Sequence, residues 1–432
     1  MQTIVMKRFV LPVLLAALCM LASCSKMLDV DSHSAVATNT LTEADVESFL
    51  VGIYNRVQNA PGAESYISFD ITGGNLINAG ATSDGGLNTF ITNILRPENG
   101  LMSAAWNGYY SALYQVNNLL QVTASLPETQ RNLEISGTAH FFRAYLYYNL
   151  VTRWGGVPLL EQNNAEKVKR NTEAEIWAFI EKELQLAIDR APAYAAGQYY
   201  LVSSVAAKAL MARVKLAQNK KPEAAALAEE VIGSGLFQLD DFEKIFRATA
   251  NNEEIFSFKN LTIESSVRVS TLFYTYAHPV KGSYVYRPTQ ETMDLFTETD
   301  KRKAISVDTY EGLRVINKYP SGQSGTDPLV VIRLAEMYLI SAEAQGLAGL
   351  HRLNELRAVR GLAAVNPASE AAYLDAVLLE RRKEFLGEGY RWYDLVRTGK
   401  TAELGLAPRE VKYPIPMNEL ALNNLLQQND DY

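Results

Sequence analysis

The sequence predicts a mainly α-helical protein. Helix pairs of the tetratricopeptide kind pack against an irregular, loop-rich lobe with a few short strands. Three observations carry this prediction. Apolar residues recur at helical spacing over most of the chain. The helical stretches come in pairs with small and large residues alternating along one stripe, as in Val205, Ala206, Ala209, Leu210, Arg213 and Val214, which lets helices approach closely. Residues 59–100, rich in Gly, Asn and Ser, and the β-leaning runs within 251–330 interrupt that pattern.

Composition narrows the function classes. The chain has 432 residues, 48% hydrophobic and 21% charged, enough for a sizeable core and too apolar for a wholly disordered chain. Its 41 basic and 48 acidic residues leave a net charge of -7, which argues against nucleic acid as a partner. The four His (His33, His140, His278, His351) are far apart, and both Cys, Cys19 and Cys24, lie in the first 24 residues. No metal-ligand spacing and no disulfide framework follow, so no metal and no cofactor are expected.

Residues 1–23 read as a signal peptide. Lys7 and Arg8 precede an apolar run over 9–22, shorter than the roughly 20 residues a membrane-spanning helix needs. Leu21-Ala22-Ser23-Cys24 resembles a bacterial lipobox, which implies that Cys24 is acylated and becomes the first residue of the mature chain. Residues 24–40 are small and polar, a lipid-anchored tether. A single domain is expected over 41–432.

Thr42 with Asp45 predicts a capped helix start, followed by Val46, Phe49, Leu50, Ile53, Tyr54 and Val57 on one stripe. Residues 59–100 read as a long loop. A helix over 102–122 follows, broken by Leu126-Pro127-Glu128; the next, over 129–153, is apolar almost all round and so is buried on most sides. Trp154-Gly155-Gly156-Val157-Pro158 stops it. Further helices are predicted over 172–191, 203–218, 222–232, 328–347, 350–361 and 370–385. Ile255-Phe256-Ser257-Phe258 and the Tyr-rich stretch 273–286 lean towards strand. The tail from 405 holds three Pro and little periodicity.

Five segments in order resemble the SusD/RagB family of outer-membrane nutrient-binding lipoproteins of Bacteroidetes. They are Arg143-Ala144-Tyr145 with the closing Trp154-Gly155-Gly156-Val157-Pro158; Lys208-Ala209-Leu210-Met211-Ala212-Arg213; Arg333-Leu334-Ala335-Glu336-Met337-Tyr338-Leu339 with Ala342-Glu343-Ala344; Leu353-Asn354-Glu355-Leu356-Arg357; and Glu380-Arg381-Arg382-Lys383-Glu384 through Gly389-Tyr390-Arg391-Trp392-Tyr393-Asp394-Leu395 to the tail Tyr413-Pro414-Ile415-Pro416. The chain departs from the family in the wider spacing of Arg357 and Arg360 and in the short link between Leu347 and Leu353. The resemblance implies capture of an oligosaccharide, or of peptide as in RagB-like members, and its delivery to a SusC-type TonB-dependent transporter. It also implies an outer-membrane, lipid-anchored protein facing the cell exterior; Ser25 beside Cys24 is similar to an outer-membrane destination signal, and the nearby acids Asp29 and Asp31 resemble the tag for export to the cell exterior. No catalysis is implied.

Sugars bind by C–H groups against an aromatic face, with Asn, Asp, Gln or Arg taking their hydroxyls. The loop offers Asn75, Asn78, Asp84 and Asn88; the Tyr-rich segment offers Tyr274, Tyr276, Tyr284, Tyr286 and Arg287. Tyr at alternating positions would point one way if the segment is extended; the alternative is an edge packed on the helices. Glu380 and Glu384 share one helical face, as a glycoside hydrolase's carboxylates could, but interleaved basic residues favour a charge-paired structural role. Arg333 with Glu336 reads as a second such pair, and Trp106, Trp154 and Trp392 as packing. A tethered glycoside hydrolase and a periplasmic helical scaffold are the competing readings.

Overall fold

In the computed structural model the described residues are 43–432 except 81–84, 248–249, 262–266, 407–410 and 431. Cys24, the signal peptide, the tether and Thr42 therefore lie outside them. Met1–Asp45 and Val46–Tyr432 form separate units; the second holds everything described below apart from the first residues of its opening helix.

The helices are α1 (Glu43–Asn59), α2 (Glu64–Thr72), α3 (Gly85–Ile91), α4 (Gly100–Ser125), α5 (Gln130–Trp154), α6 (Glu173–Arg190), α7 (Ser204–Ala217), α8 (Lys221–Gly233), α9 (Phe242–Phe246), α10 (Gln290–Asp294), α11 (Lys303–Ser306), α12 (Leu334–Gln345), α13 (Leu350–Val359), α14 (Glu370–Glu384), α15 (Arg391–Arg397) and α16 (Met417–Leu422). The strands are β1 (Leu76–Asn78), β2 (Glu254–Phe258), β3 (Tyr286–Pro288), β4 (Val307–Tyr310), β5 (Leu313–Ile316) and β6 (Leu329–Arg333). They pair antiparallel as β1–β3, β2–β6 and β4–β5.

The long helices start where their caps say. Asn99 accepts from the backbone N–H groups of Leu101 and Met102, Thr129 from Asn132 and Ser203 from Ala206; Thr172 and Glu175 form a reciprocal capping box. Successive helices α4 to α8 pack side by side, and α8 packs on α12, which packs on α13. The chain is thus mainly helical with paired helices, as predicted. Helix α5 is buried over most of its circumference, and Trp154 closes a ring cluster with Trp106, Tyr109 and Tyr413. Trp106, Trp154 and Trp392 are all core residues. No helix among the described residues is long and apolar enough to cross a membrane.

Two expectations are corrected. Residues 59–100 are not one long loop: they hold α2, β1 and α3, and Ile67, Phe69, Ile71 and Leu76 are core residues. These elements are too short to display a period, and Gly73-Gly74 cuts between two of them. Residues 328–347 are not one helix: 329–333 form strand β6 on β2 before α12 begins. Leu329-Val330-Val331-Ile332 is a β-branched run that finds a fully buried partner strand.

Candidate functional site

The pairing of β1 with β3 joins the two segments whose residue types suit a ligand. Leu76 lies opposite Pro288, Ile77 opposite Arg287 and Asn78 opposite Tyr286. Side chains directly opposed in an antiparallel pair share a face. Leu76, Tyr286 and Pro288 are buried, whereas Ile77 and Arg287 are half-buried and form the outward face. Asn78, at the strand's end, is half-buried; its amide donates to Asn88 Oδ1 at 3.1 Å and its Oδ1 accepts from the Gly80 N–H at 2.7 Å.

The Tyr-rich segment folds back on itself rather than running extended. Residues 271–275 lie against 282–285, with Tyr284 N–H donating to Tyr274 O at 2.8 Å and Val285 N–H to Leu272 O at 2.8 Å. Gly282 is required there, because a Cβ would sit 2.1 Å from the Tyr274 carbonyl oxygen. Tyr274 and Tyr276 consequently face different ways: Tyr274 is buried with its hydroxyl donating to Asn317 Oδ1 at 2.6 Å, and Tyr276 is 72% exposed with Lys281 Nζ 5.8 Å from its ring. Tyr284 and Tyr286 are buried as well.

The hairpin β4–β5 completes the lobe. Its turn, Glu311-Gly312, has positive φ at both residues (49° and 78°), the geometry that fits the twist of a two-residue hairpin. Tyr310 at its tip meets His278 with ring centres 4.3 Å apart, and His278 meets Tyr274 at the same distance. Burial lowers the His278 pKa, with Asp308 and Glu311 opposing it, so the ring is neutral near pH 7. Burial raises the Tyr284 pKa, while the positive charges of Arg287 and Arg314 oppose the rise. The Tyr284 hydroxyl donates to Arg314 O at 3.0 Å.

Of the sequence candidates, Asn78, Asn88, Tyr276 and Arg287 reach the surface; Asn78 and Arg287 stand on the paired strands β1 and β3, on opposite faces, and Asn88 of α3 accepts from Asn78. Asn75 is fully buried, donating to Asp70 Oδ1 (2.9 Å) and accepting from Arg382 Nε (2.8 Å). Asp84 lies outside the described residues. Sequence reading passed over Tyr310, His278 and Arg314; the Glu311-Gly312 dipeptide between short β-leaning runs was the signal for the hairpin that presents them.

The charged run of α14 is internal. Glu384 is fully buried and accepts from Arg302 (2.8 Å), Arg333 (2.5 Å) and Arg360 (2.8 Å); Glu380 faces Arg302 at 2.7 Å and Arg357 at 2.6 Å. The two carboxylates are spent on guanidinium partners, the arrangement that favours a structural role over acid–base chemistry. Arg333 and Glu336 do not pair: Arg333 reaches Glu253, Glu384 and Glu388, and Glu336 is held by Arg213 of α7. Arg333 ends β6, so the turn into α12 sends the two side chains to different neighbours.

Other spaces open among the described residues, three of them beside polar or apolar linings of note. An enclosed cavity of about 70 Å³, lined by Tyr109, Tyr145, Tyr148, Arg213 and Arg381, has room for a few water molecules only. A groove of about 350 Å³ beside α1 is lined largely by apolar residues, among them Leu50, Val51, Leu201 and Phe258. A cleft of about 830 Å³ lies between 169–173 and the C-terminal stretch. That cleft has no aromatic among its lining residues, and two of its three cations are engaged: Arg170 holds Gly156 O, Gln427 O and Asn429 Oδ1, and Lys412 pairs with Glu173. Among the described residues no group of three His, Cys, Asp or Glu side chains is placed to hold a metal.

The sequence and the fold are shared with known proteins. Residues 26–216 match the SusD-like family model described as starch-binding associating with outer membrane, and residues 268–412 match the SusD family model. SusD-like protein P38 of Formosa agariphila is 24% identical over 97% of this chain and 98% of its own. A laminarin-binding SusD-like protein of known structure superposes with a TM-score of 0.80 at 25% identity, covering 90% of this chain and 100% of that one. Surface glycan-binding protein A from Bacteroides fluxus shares the fold with a TM-score of 0.80 at 22% identity, over 90% of this chain and 100% of that one.

Proposed function

The chain belongs to the SusD/RagB family, and from that premise we propose that it is a cell-surface glycan-binding lipoprotein without chemistry of its own. It captures oligosaccharide and delivers it to a SusC-type TonB-dependent transporter. One observation carries the reading: Arg287 lies on the outward face of the β1–β3 pair, Asn88 of α3 is exposed at the end of β1 where Asn78 holds it, and the adjoining fold-back carries the exposed Tyr276. That combination, an aromatic surface with amide and guanidinium groups, matches the two faces of a sugar ring. The laminarin-binding relative of the same fold supports the ligand class.

In this reading Cys24 carries the lipid, residues 24–40 tether the domain to the outer membrane, and the ligand face looks outward. The test is titration of the full chain with a panel of oligosaccharides, alongside Tyr276→Ala and Asn88→Ala. Binding without turnover that falls about 5- to 12-fold in the variants is expected, each stacking or hydrogen-bonding contact being worth roughly 1–1.5 kcal/mol. Absence of binding to every glycan tested, or binding indifferent to both substitutions, refutes it. Cys24→Ser is expected to release the protein from the membrane fraction, checked by fractionation.

A further inference from the structure

Two guanidinium groups on this lobe have no carboxylate partner among the described residues. Arg287 projects from the outward face of β3, opposite Ile77. Arg314 lies on β5 opposite the exposed Thr309, and β5 packs against β3. Tyr284 stands between them, its hydroxyl on the Arg314 carbonyl and its ring near both positive charges. Among the described residues neither arginine has a carboxylate partner. Arg314 makes only a long 3.5 Å contact to Gln290 Oε1, and Arg287 Nε is buried without a hydrogen-bond partner. The acid closest in sequence to Arg287, Glu291, is taken by Arg382, and the one closest to Arg314, Glu311, stands in the turn of the β4–β5 hairpin without an ion pair to it.

Other arginines without a carboxylate, among them Arg153, Arg170 and Arg247, are instead met by carbonyl or amide oxygens. The fully buried arginines Arg302, Arg333 and Arg360 each meet carboxylates, and the chain as a whole is acidic, with a net charge of -7. What sets Arg287 and Arg314 apart is their place: both are half-exposed, on the adjoining strands β3 and β5. Guanidinium forks fit planar carboxylates and sulfate oxygens bidentately, and an unpaired buried N–H is costly until an acceptor meets it.

We propose that the lobe is built for an acidic glycan, one bearing uronate carboxylates or sulfate esters, with Arg287 and Arg314 receiving the acid group. This rests on the carbohydrate-binding reading above and narrows it. Asn78, Asn88 and Tyr276 then serve the neutral part of the ligand, and the two arginines set its class.

The experiment titrates the full chain with three probes: an oligogalacturonide, a sulfated galactan oligosaccharide and a neutral β-1,3-glucan oligosaccharide. Arg287→Gln, Arg287→Lys and Arg314→Gln are titrated in parallel, each with its melting temperature checked. Preference for one or both acidic probes over the glucan is expected, weakening as salt is raised. Each Gln variant is expected to lose about 10-fold or more, since hydrogen bonds to charged groups are the strong ones. Arg287→Lys keeps the charge without the fork and falls between. The uronate and sulfate arms tell the two acid sources apart. Binding of the glucan alone, or acidic binding unmoved by the Arg variants, overturns this proposal while leaving glycan capture standing. Binding of none of the three overturns this proposal, and only failure across the wider panel removes glycan capture as well. Should Arg287→Gln lower the melting temperature, Arg314→Gln on the more peripheral hairpin decides.

Discussion

Glu384→Gln isolates the strongest claim about how the fold is held. The Glu384 carboxylate is fully buried and takes hydrogen bonds from three guanidiniums, those of Arg302, Arg333 and Arg360, at 2.8, 2.5 and 2.8 Å. The same arginines are shared with Asp300, Glu253 and Glu388. Replacing the carboxylate by an amide keeps the shape, removes the central negative charge and turns one oxygen into a donor facing other donors. Breaking a buried pair from one side costs about 3–5 kcal/mol. With an unfolding entropy of about 2.1 cal/mol/K per residue over roughly 390 residues, that lowers the melting temperature by about 4–6 °C. Thermal unfolding followed by circular dichroism at pH 7 measures it, with Glu47→Gln as control. The Glu47–Arg131 pair is half-exposed, so its loss shifts the midpoint by about 1 °C or less. Burial pushes the Glu384 pKa up, but Arg360, Arg333 and Arg302 outweigh it and hold it well below the ordinary value of 4.5. Its stabilisation is therefore complete above pH 4.5 and is lost only as pH falls through the depressed pKa, so the gap between variant and parent closes in strong acid. A Glu384→Gln protein melting within 1 °C of the parent at pH 7 refutes this account.

Glu254 titrates the other way: burial raises its pKa to about 7, so its favourable contribution is full below 4.5 and is lost as pH rises through 7. Glu254→Gln is expected to flatten the fall in melting temperature between pH 5 and 8 and to be the more stable protein at pH 8 by about 1–2 kcal/mol; an unchanged slope tells against it. Gly137→Ala, which in an open helix would stabilise by about 1 kcal/mol, reverses sign because its Cβ would lie 2.2 Å from the Ala191 backbone nitrogen; a higher denaturation midpoint would contradict that packing. Asn99→Ala removes the cap on Leu101 and Met102 together with amide contacts to Gly86 O and Thr89 Oγ1, a loss of about 1–2 kcal/mol by urea titration.

Most of the helical half was legible because its signals are local. Thr129, Thr172 and Ser203 announce helix starts in the sequence, and each is a cap in the structure. What was hidden depends on distant partners. Helix α2 is buried nearly all round, so it shows no stripe to read. Strand β6 runs into α12 with no turn residue between them, and a short apolar run beside a helix cannot be assigned from period alone. The residue types of the lobe were readable as ligand chemistry, but their exposure was not. Whether Tyr274 or Tyr276 meets solvent is decided by a fold-back whose close approach Gly282 permits, and Arg287 faces outward only because Tyr286 pairs with Asn78 on the buried side.

The charged run of α14 acquires a use at the lobe that neither a catalytic nor a purely internal reading supplies. Arg382 donates from Nε to Asn75 Oδ1 at 2.8 Å, immediately before β1, and from Nη1 to Glu291 at 2.5 Å, just after β3. One side chain thus touches the flanks of both strands that make the outward face. Asn75 is held in turn by Asp70, which also accepts from the N–H groups of Gly387 and Gly389. The signature segment 380–389 is therefore wired to the site strands through buried polar groups with few alternative partners. Sites are most specific when the residues that face the ligand stand on a rigid support. Here the support and the face are different residues: Asn75, Asp70 and Arg382 fix where β1 and β3 lie, while Asn78, Asn88, Arg287 and Tyr276 remain at the surface. The surface set proposed to face the ligand can therefore be exchanged without disturbing the buried groups that hold β1 and β3 in place.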